Sequence, residues 1–139
     1  MTVQPRIILT YGRFDMFNQH HVRFLRRISG IGHELIVGCT TDDLAVQSGL
    51  PCENSFEDRR AVLESCRFVS RVIAQTDPEQ EHTDIVNYNI STLVLGEDQA
   101  GQVDDLQDVV QILYMPRVRP QGSHHLLGLF PKTTTRTNF

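Results

Sequence analysis

The sequence predicts an α/β domain, a doubly wound parallel sheet of five strands with helices on both faces. Two observations predict it. Five short apolar runs, rich in β-branched residues, are separated by helical segments at the spacing of βαβ units. The first run, Ile7-Ile8-Leu9, passes directly into a Gly turn and then a polar cluster that opens a helix. That geometry aims backbone N–H groups and the positive end of a helix at whatever sits in the turn, and an anion is the natural ligand.

Each element has its own warrant. Residues 6–12 read as a buried parallel strand. Residues 20–29 read as a helix with Phe24, Leu25 and Ile28 on one side, ended by Gly30 and Gly32. Residues 34–41, ELIVGCTT, are the second strand, and Asp42-Asp43 marks a helix start. Residues 55–66 form a helix whose apolar face is Phe56, Leu63 and Cys66, with Ser55 and Asp58 as a capping-box-like opening. Residues 68–74 are the third strand and residues 79–89 a helix after Pro78. Residues 92–96 and 111–115 are the fourth and fifth strands, the last stopped by Pro116. Residues 1–127 are expected to form one nucleotide-binding domain, and the Thr-rich stretch 128–139 a flexible tail.

Composition narrows the function classes. The net charge of −4 argues against nucleic acid as a partner. Twelve of the basic residues are Arg and one, Lys132, is Lys; none lies between Arg27 and Arg59. Cys39, Cys52 and Cys66 form no C-x-x-C pair, so reduced thiols in a cytoplasmic protein are expected, without a zinc ribbon. No stretch approaches the ~20 apolar residues of a membrane span.

The stretch 10–21, TYGRFDMFNQHH, resembles the first signature of the nucleotidylyltransferase superfamily, G-x-F-D-x-x-H-x-G-H. Gly12, Phe14, Asp15 and His21 fall on the pattern; Asn18 stands at its first His and His20 at its Gly. Further segments match in order: Thr41-Asp42-Asp43, Arg67 in LESCRFV, Gly96-Glu97-Asp98 and Pro116-Arg117. Within the superfamily the chain is most similar to the glycerol-3-phosphate cytidylyltransferase family. The resemblance implies a Rossmann-like fold that transfers CMP from CTP to a small phosphorylated alcohol and releases pyrophosphate, with Mg²⁺ accompanying the nucleotide and a possible homodimer.

The resemblance also implies a set of site residues. His21, Asn18 and His20 occupy the catalytic signature. Tyr11, Gly12, Phe14 and Asp15 belong to the nucleotide end, with Asp98 toward base or ribose. Arg117 and His21 would bind phosphates, Arg67 would reach the nucleotide or acceptor phosphate, and Ser123 and His124 lie in the altered last motif, RVRPQGSHH. Four departures, namely Asn18, His20, the lysine-free stretch after Asp43 and that last motif, open an alternative: a nucleotide-binding or regulatory homologue with impaired catalysis. Two readings of the histidines also stay open. They are scattered surface groups, or His20, His21, His124 and His125 gather as an anion or metal site; in the anion branch the imidazoles are favoured as cations. Metal is the weaker branch, because no H-x-x-x-H or His/carboxylate ligand spacing supports it, and no residue is assigned as a metal ligand.

Overall fold

The computed structural model describes residues 4–96 and 104–116. Five strands, β1 (Ile7–Gly12), β2 (Glu34–Thr40), β3 (Arg71–Gln75), β4 (Thr92–Gly96) and β5 (Gln111–Met115), form one sheet in the order β3-β2-β1-β4-β5. Every pairing is parallel. The order reverses beside β1, which pairs with β2 on one side and β4 on the other. That is the switch point of a doubly wound sheet, where a crevice opens outside the strand ends.

Alternation along the strands builds two cores. Ile8, Leu35, Val37, Val72 and Val94 face helices α1 (Gln19–Ser29) and α3 (Phe56–Ser65), which contribute Leu25, Ile28 and Leu63. Leu9, Ile36, Leu93 and Leu95 face the opposite way, against Ile85 of α4 (Glu81–Asn87) and Leu106 of a 3-10 turn, Asp104–Leu106. Thr10 lies fully in the sheet and donates its hydroxyl proton to the Val94 carbonyl at 3.0 Å, satisfying a buried polar group while tying β1 to β4.

Several boundaries differ from expectation. The third strand starts at Arg71, not residue 68, because the Val69 N–H turns back to Cys66 O and Ser70 N–H pairs with Leu35 O. The fourth helix is shorter than 79–89: Gln80 accepts backbone N–H bonds from Thr76 and Asp77, which holds the preceding turn out of the helix. The second strand ends at Thr40 and not at residue 41, because Thr41 caps the helix that Asp42-Asp43 opens, α2 (Asp42–Gln47), its hydroxyl accepting from Leu44 N–H.

A buried arginine joins these parts. Arg59 occupies the inward stripe of α3 between Phe56 and Leu63, and it is 2% exposed. It donates to the carbonyls of Asn54 (3.0 Å), Arg13 (2.9 Å) and Thr40 (2.7 Å) and pairs with the Asp42 carboxylate at 2.7 Å. A hydrogen bond from the Phe56 N–H, then the Arg59 charge, hold the Asp42 carboxyl below the usual range. Buried charge is tolerated only when its donors are satisfied in this way.

Arg59→Met keeps volume but leaves three carbonyls without their donor. Urea unfolding should show a loss of about 3 kcal/mol. Asp42→Asn should cost less, because the Asp42 side chain is about half exposed.

Candidate functional site

The chain leaves β1 through a turn that side-chain-bearing residues enter at a cost. Phe14 and Met16 have φ of 49° and 50°, in the left-handed region. The segment 50–54 holds that turn from outside. Both Asp15 carboxylate oxygens accept backbone N–H bonds, from Glu53 at 2.7 Å and Asn54 at 2.9 Å. The Met16 N–H donates to Asn54 Oδ1 at 3.1 Å, and Arg13 Nη1 donates to Leu50 O at 3.0 Å. Partial burial raises the Asp15 pKa, but the backbone donors and the Arg59 charge outweigh it and hold the group below its ordinary value. Gly12 is required here: a Cβ would stand 2.7 Å from the Phe14 ring folded back over it.

Helix α1 begins directly after the turn. Asn18 is its N-cap, accepting the His20 N–H at 2.9 Å while its amide donates to Met16 O at 3.3 Å. His21 completes a reciprocal cap: its Nδ1 accepts the Asn18 backbone N–H at 3.1 Å. The neutral ring therefore carries its proton on Nε2. Phe17 stacks on the imidazole at 5.2 Å between centroids and Phe14 tilts against it at 5.5 Å. Burial, then the adjacent His20, hold the His21 pKa below its usual value. His21 is thus favoured as a neutral Nε2–H donor, while the reading of gathered, cationic histidines depends on His124 and His125, which lie outside the described residues.

Turn, helix start and strand ends enclose one cleft of about 700 Å³. Thr10 through Met16, Asn18, His20, His21, Phe24, Gly96, Met115 and Pro116 line it. The structure thus brings together Tyr11, Gly12, Phe14, Asp15, Asn18, His20 and His21 from the sequence reading. Tyr11 lines the cleft, but its hydroxyl donates to Asp84 of α4 at 2.6 Å. Its ring lies over Gly38 of β2, where a Cβ would come within 2.3 Å. Burial and the neighbouring carboxylate push the phenol far above its ordinary pKa.

Arg67 is not brought to the cleft. It precedes β3, and Ser70 N–H pairs with Leu35 near the start of β2. Arg67 is therefore at the amino edge of the parallel sheet, opposite the cleft, with its guanidinium 4.9 Å above the Phe68 ring. Asp98, Arg117, Ser123, His124 and His125 lie outside the described residues, as does the tail 128–139. Among the described residues no three His, Cys, Asp or Glu side chains stand together as a metal cluster, and no helix is long and apolar enough to cross a membrane.

Comparison with known proteins agrees with this geometry. A cytidylyltransferase-like family model matches residues 9–137. The chain belongs to the cytidylyltransferase-like family. It is 36% identical over 110 residues to a glycerol-3-phosphate cytidylyltransferase of Bacillus subtilis (strain 168), covering 79% of this chain and 85% of that one. It is 31% identical over 110 residues to the enzyme of that name in Staphylococcus aureus, at 79% and 83% coverage. An FAD synthase of Pyrococcus horikoshii is 32% identical over 101 residues, 72% of this chain and 68% of that one. A lipopolysaccharide core biosynthesis protein from Thermoplasma volcanium GSS1 shares the fold, with a TM-score of 0.71 at 20% identity over 84% of this chain and all of that one.

Sequence reasoning missed Arg59 and Gly38. Arg59 could have been found from spacing: residues 56, 59, 63 and 66 share one helix face, so a charge at 59 falls inside the apolar stripe. Gly38 sits inside an otherwise apolar strand, a sign that another group approaches closely.

The lowered pKa of His21 has a direction in stability. Below the ordinary His pKa of ~6.5 the unfolded chain binds a proton that the folded chain refuses, so stability falls as pH drops through that window. His21→Gln keeps a cap acceptor at the same position without titrating. Urea unfolding between about pH 7.5 and about pH 5.5 should show a shallower decline in the variant; coincident slopes would remove the assignment.

Proposed function

We propose that the protein is a cytidylyltransferase that joins CMP from CTP to a small phosphorylated alcohol, glycerol 3-phosphate being the first acceptor to try. The observation that carries the reading is the convergence of the carboxyl ends of β1, β4 and β5 with the capped start of α1 on one cleft, in a chain of this family. In the reaction an oxygen of the acceptor phosphate bonds to the α-phosphorus of CTP. The bond from that phosphorus to the bridging oxygen breaks, and pyrophosphate leaves with the electron pair. Such chemistry rests on positioning and on donors aimed at the spreading negative charge.

His21 suits that work as a donor whose orientation is set in advance. Its Nδ1 is occupied by the Asn18 N–H, which leaves Nε2–H for a phosphoryl oxygen. The start of α1 adds its positive end. Arg117, Ser123 and His124 belong to the phosphate side of the same proposal, and Asp98 to the base or ribose side. Mg²⁺ would arrive chelated by the triphosphate and neutralise part of its charge. Among the described residues the one carboxylate lining the cleft is Asp15, and its oxygens are engaged by Glu53 and Asn54, which fits an ion held mainly by phosphates and water. A cytoplasmic setting and a homodimer complete the reading; sedimentation at twice the monomer mass would support the latter.

One observation favours a second reading, a nucleotide-binding relative with impaired catalysis. Asn18 cannot become cationic; its Oδ1 caps α1 and its amide nitrogen donates to Met16 O in the preceding turn.

Pyrophosphate release with CTP, Mg²⁺ and a panel of phosphorylated alcohols separates the two. Transfer to glycerol 3-phosphate at a rate below the order of 10 per second is expected, with none from acceptor-free enzyme. His21→Ala should reduce kcat/KM by about a hundredfold, the scale of a lost oriented donor, while the domain still unfolds cooperatively. CTP binding without release for any acceptor would establish the second reading.

A further inference from the structure

We propose that Arg13 is a phosphate-clamping residue of the cleft, its guanidinium fork gripping phosphoryl oxygens of the bound substrate. The proposal rests on the cytidylyl-transfer reading for its substrates and goes beyond it in naming a cation that the signature pattern leaves as a variable position.

Four observations converge on Arg13. It lines the same cleft as Asn18, His20 and His21, and among the described residues it is the one Lys or Arg that does. Residues 28–58, which include the segment bordering the turn, carry no Lys or Arg, so no cation from that segment competes for the role. The Arg13 backbone is held from behind, because its carbonyl accepts Arg59 Nη1 at 2.9 Å and the next residue has the strained φ of 49°. The side chain is steadied by Nη1 donating to Leu50 O at 3.0 Å, yet among the described residues Arg13 forms no ion pair.

The contrast with Arg59 is instructive. Arg59 is buried and spends its donors on three carbonyls and a carboxylate, so it has nothing to offer a ligand. Arg13 spends one donor on a carbonyl, which carries no net charge, and keeps its positive charge unmatched at an anion-binding cleft. A planar guanidinium is always protonated and meets phosphate oxygens two at a time, so the clamp works at any pH the fold survives. The partly restrained side chain also loses less conformational freedom on binding than a free one.

Calorimetry with CTP, CMP and inorganic pyrophosphate, plus the KM for glycerol 3-phosphate, tests the clamp in the full-length protein. Arg13→Gln should weaken CTP and pyrophosphate about tenfold or more while CMP changes less than about twofold, the pattern of a lost charge-assisted pair to the terminal phosphates. A loss confined to the KM for glycerol 3-phosphate would instead assign the fork to the acceptor phosphate, and would equally support a clamp. Unchanged values for all four ligands, or CMP weakened as much as CTP, would overturn it. Arg13→Lys keeps the stem and charge but not the fork, and serves if the Gln variant fails to fold. It should weaken the same ligands by about threefold and spare the others, and an indiscriminate loss would again overturn the proposal. Wild-type protein that binds pyrophosphate through Arg13 but neither binds nor turns over CTP would sink the cytidylyl-transfer reading and leave the clamp standing.

Discussion

The buried guanidinium of Arg59 is the constraint on which the site depends. Its donors reach the exit of β1 through Arg13 O, the end of β2 through Thr40 O, the start of α2 through Asp42, and the approach to α3 through Asn54 O. The β1–β2 ladder stops at Gly12 and Cys39, and these four points lie beyond it. Each would otherwise leave a polar group unpaired beside the core, at a cost comparable to a lost hydrogen bond. One planar cation answers several carbonyls at once, which an apolar side chain of equal volume could not do.

From that anchor the turn at 13–16 acquires its shape. Two residues with positive φ are held there because the turn is overdetermined: Arg59 grips it from the core, and Asp15 and Asn54 lace it to the neighbouring segment. Strain that persists in this way is common where a chain must present groups to a ligand. Here the turn delivers Asn18 and His21 to the start of α1, where they close a reciprocal cap. The cap has an electrostatic consequence. An imidazole that must accept a backbone N–H at Nδ1 is useful only while neutral, and burial between two Phe rings favours the same state. The cleft therefore combines a neutral oriented donor, a helix start and a permanently charged Arg13.

The opposite face of the sheet has a polar anchor of its own. Asp84, nearly buried on α4, accepts the Tyr11 hydroxyl and the Gln80 amide. Gln80 in turn binds the Ala74 carbonyl at the end of β3 and the two N–H groups that follow. Together with Arg59, this network pins the carboxyl ends of β1, β2 and β3 from both sides, so the strand ends that frame the cleft are held by polar contacts where the apolar core runs out.

Fold and family were legible in the sequence because each depends on local pattern. Short, nearly continuous apolar runs name the strands of a parallel sheet, Gly and Pro end the elements, and Ser55 and the Asp42-Asp43 start are visible as helix openings. The signature around Gly12, Phe14, Asp15 and His21 carried the cleft with it, since a motif at a strand exit must face the carboxyl edge of a parallel sheet. What a side chain does with its polar end was decided by tertiary structure. Tyr11 was read as a ligand contact, but its hydroxyl belongs to Asp84, 73 residues away. Arg67 looked available for a phosphate, yet the direction of a parallel strand sets it at the far edge. His21 was placed by its signature position, and only the approach of Phe17, Phe14 and the Asn18 N–H made neutrality its favoured state. The place of Arg59 in the apolar stripe of α3 is visible in the sequence, but its partners are not: only the packing of α3 beneath the turn joined it to the Arg13 and Thr40 carbonyls and to Asp42, while Arg13 lines the cleft.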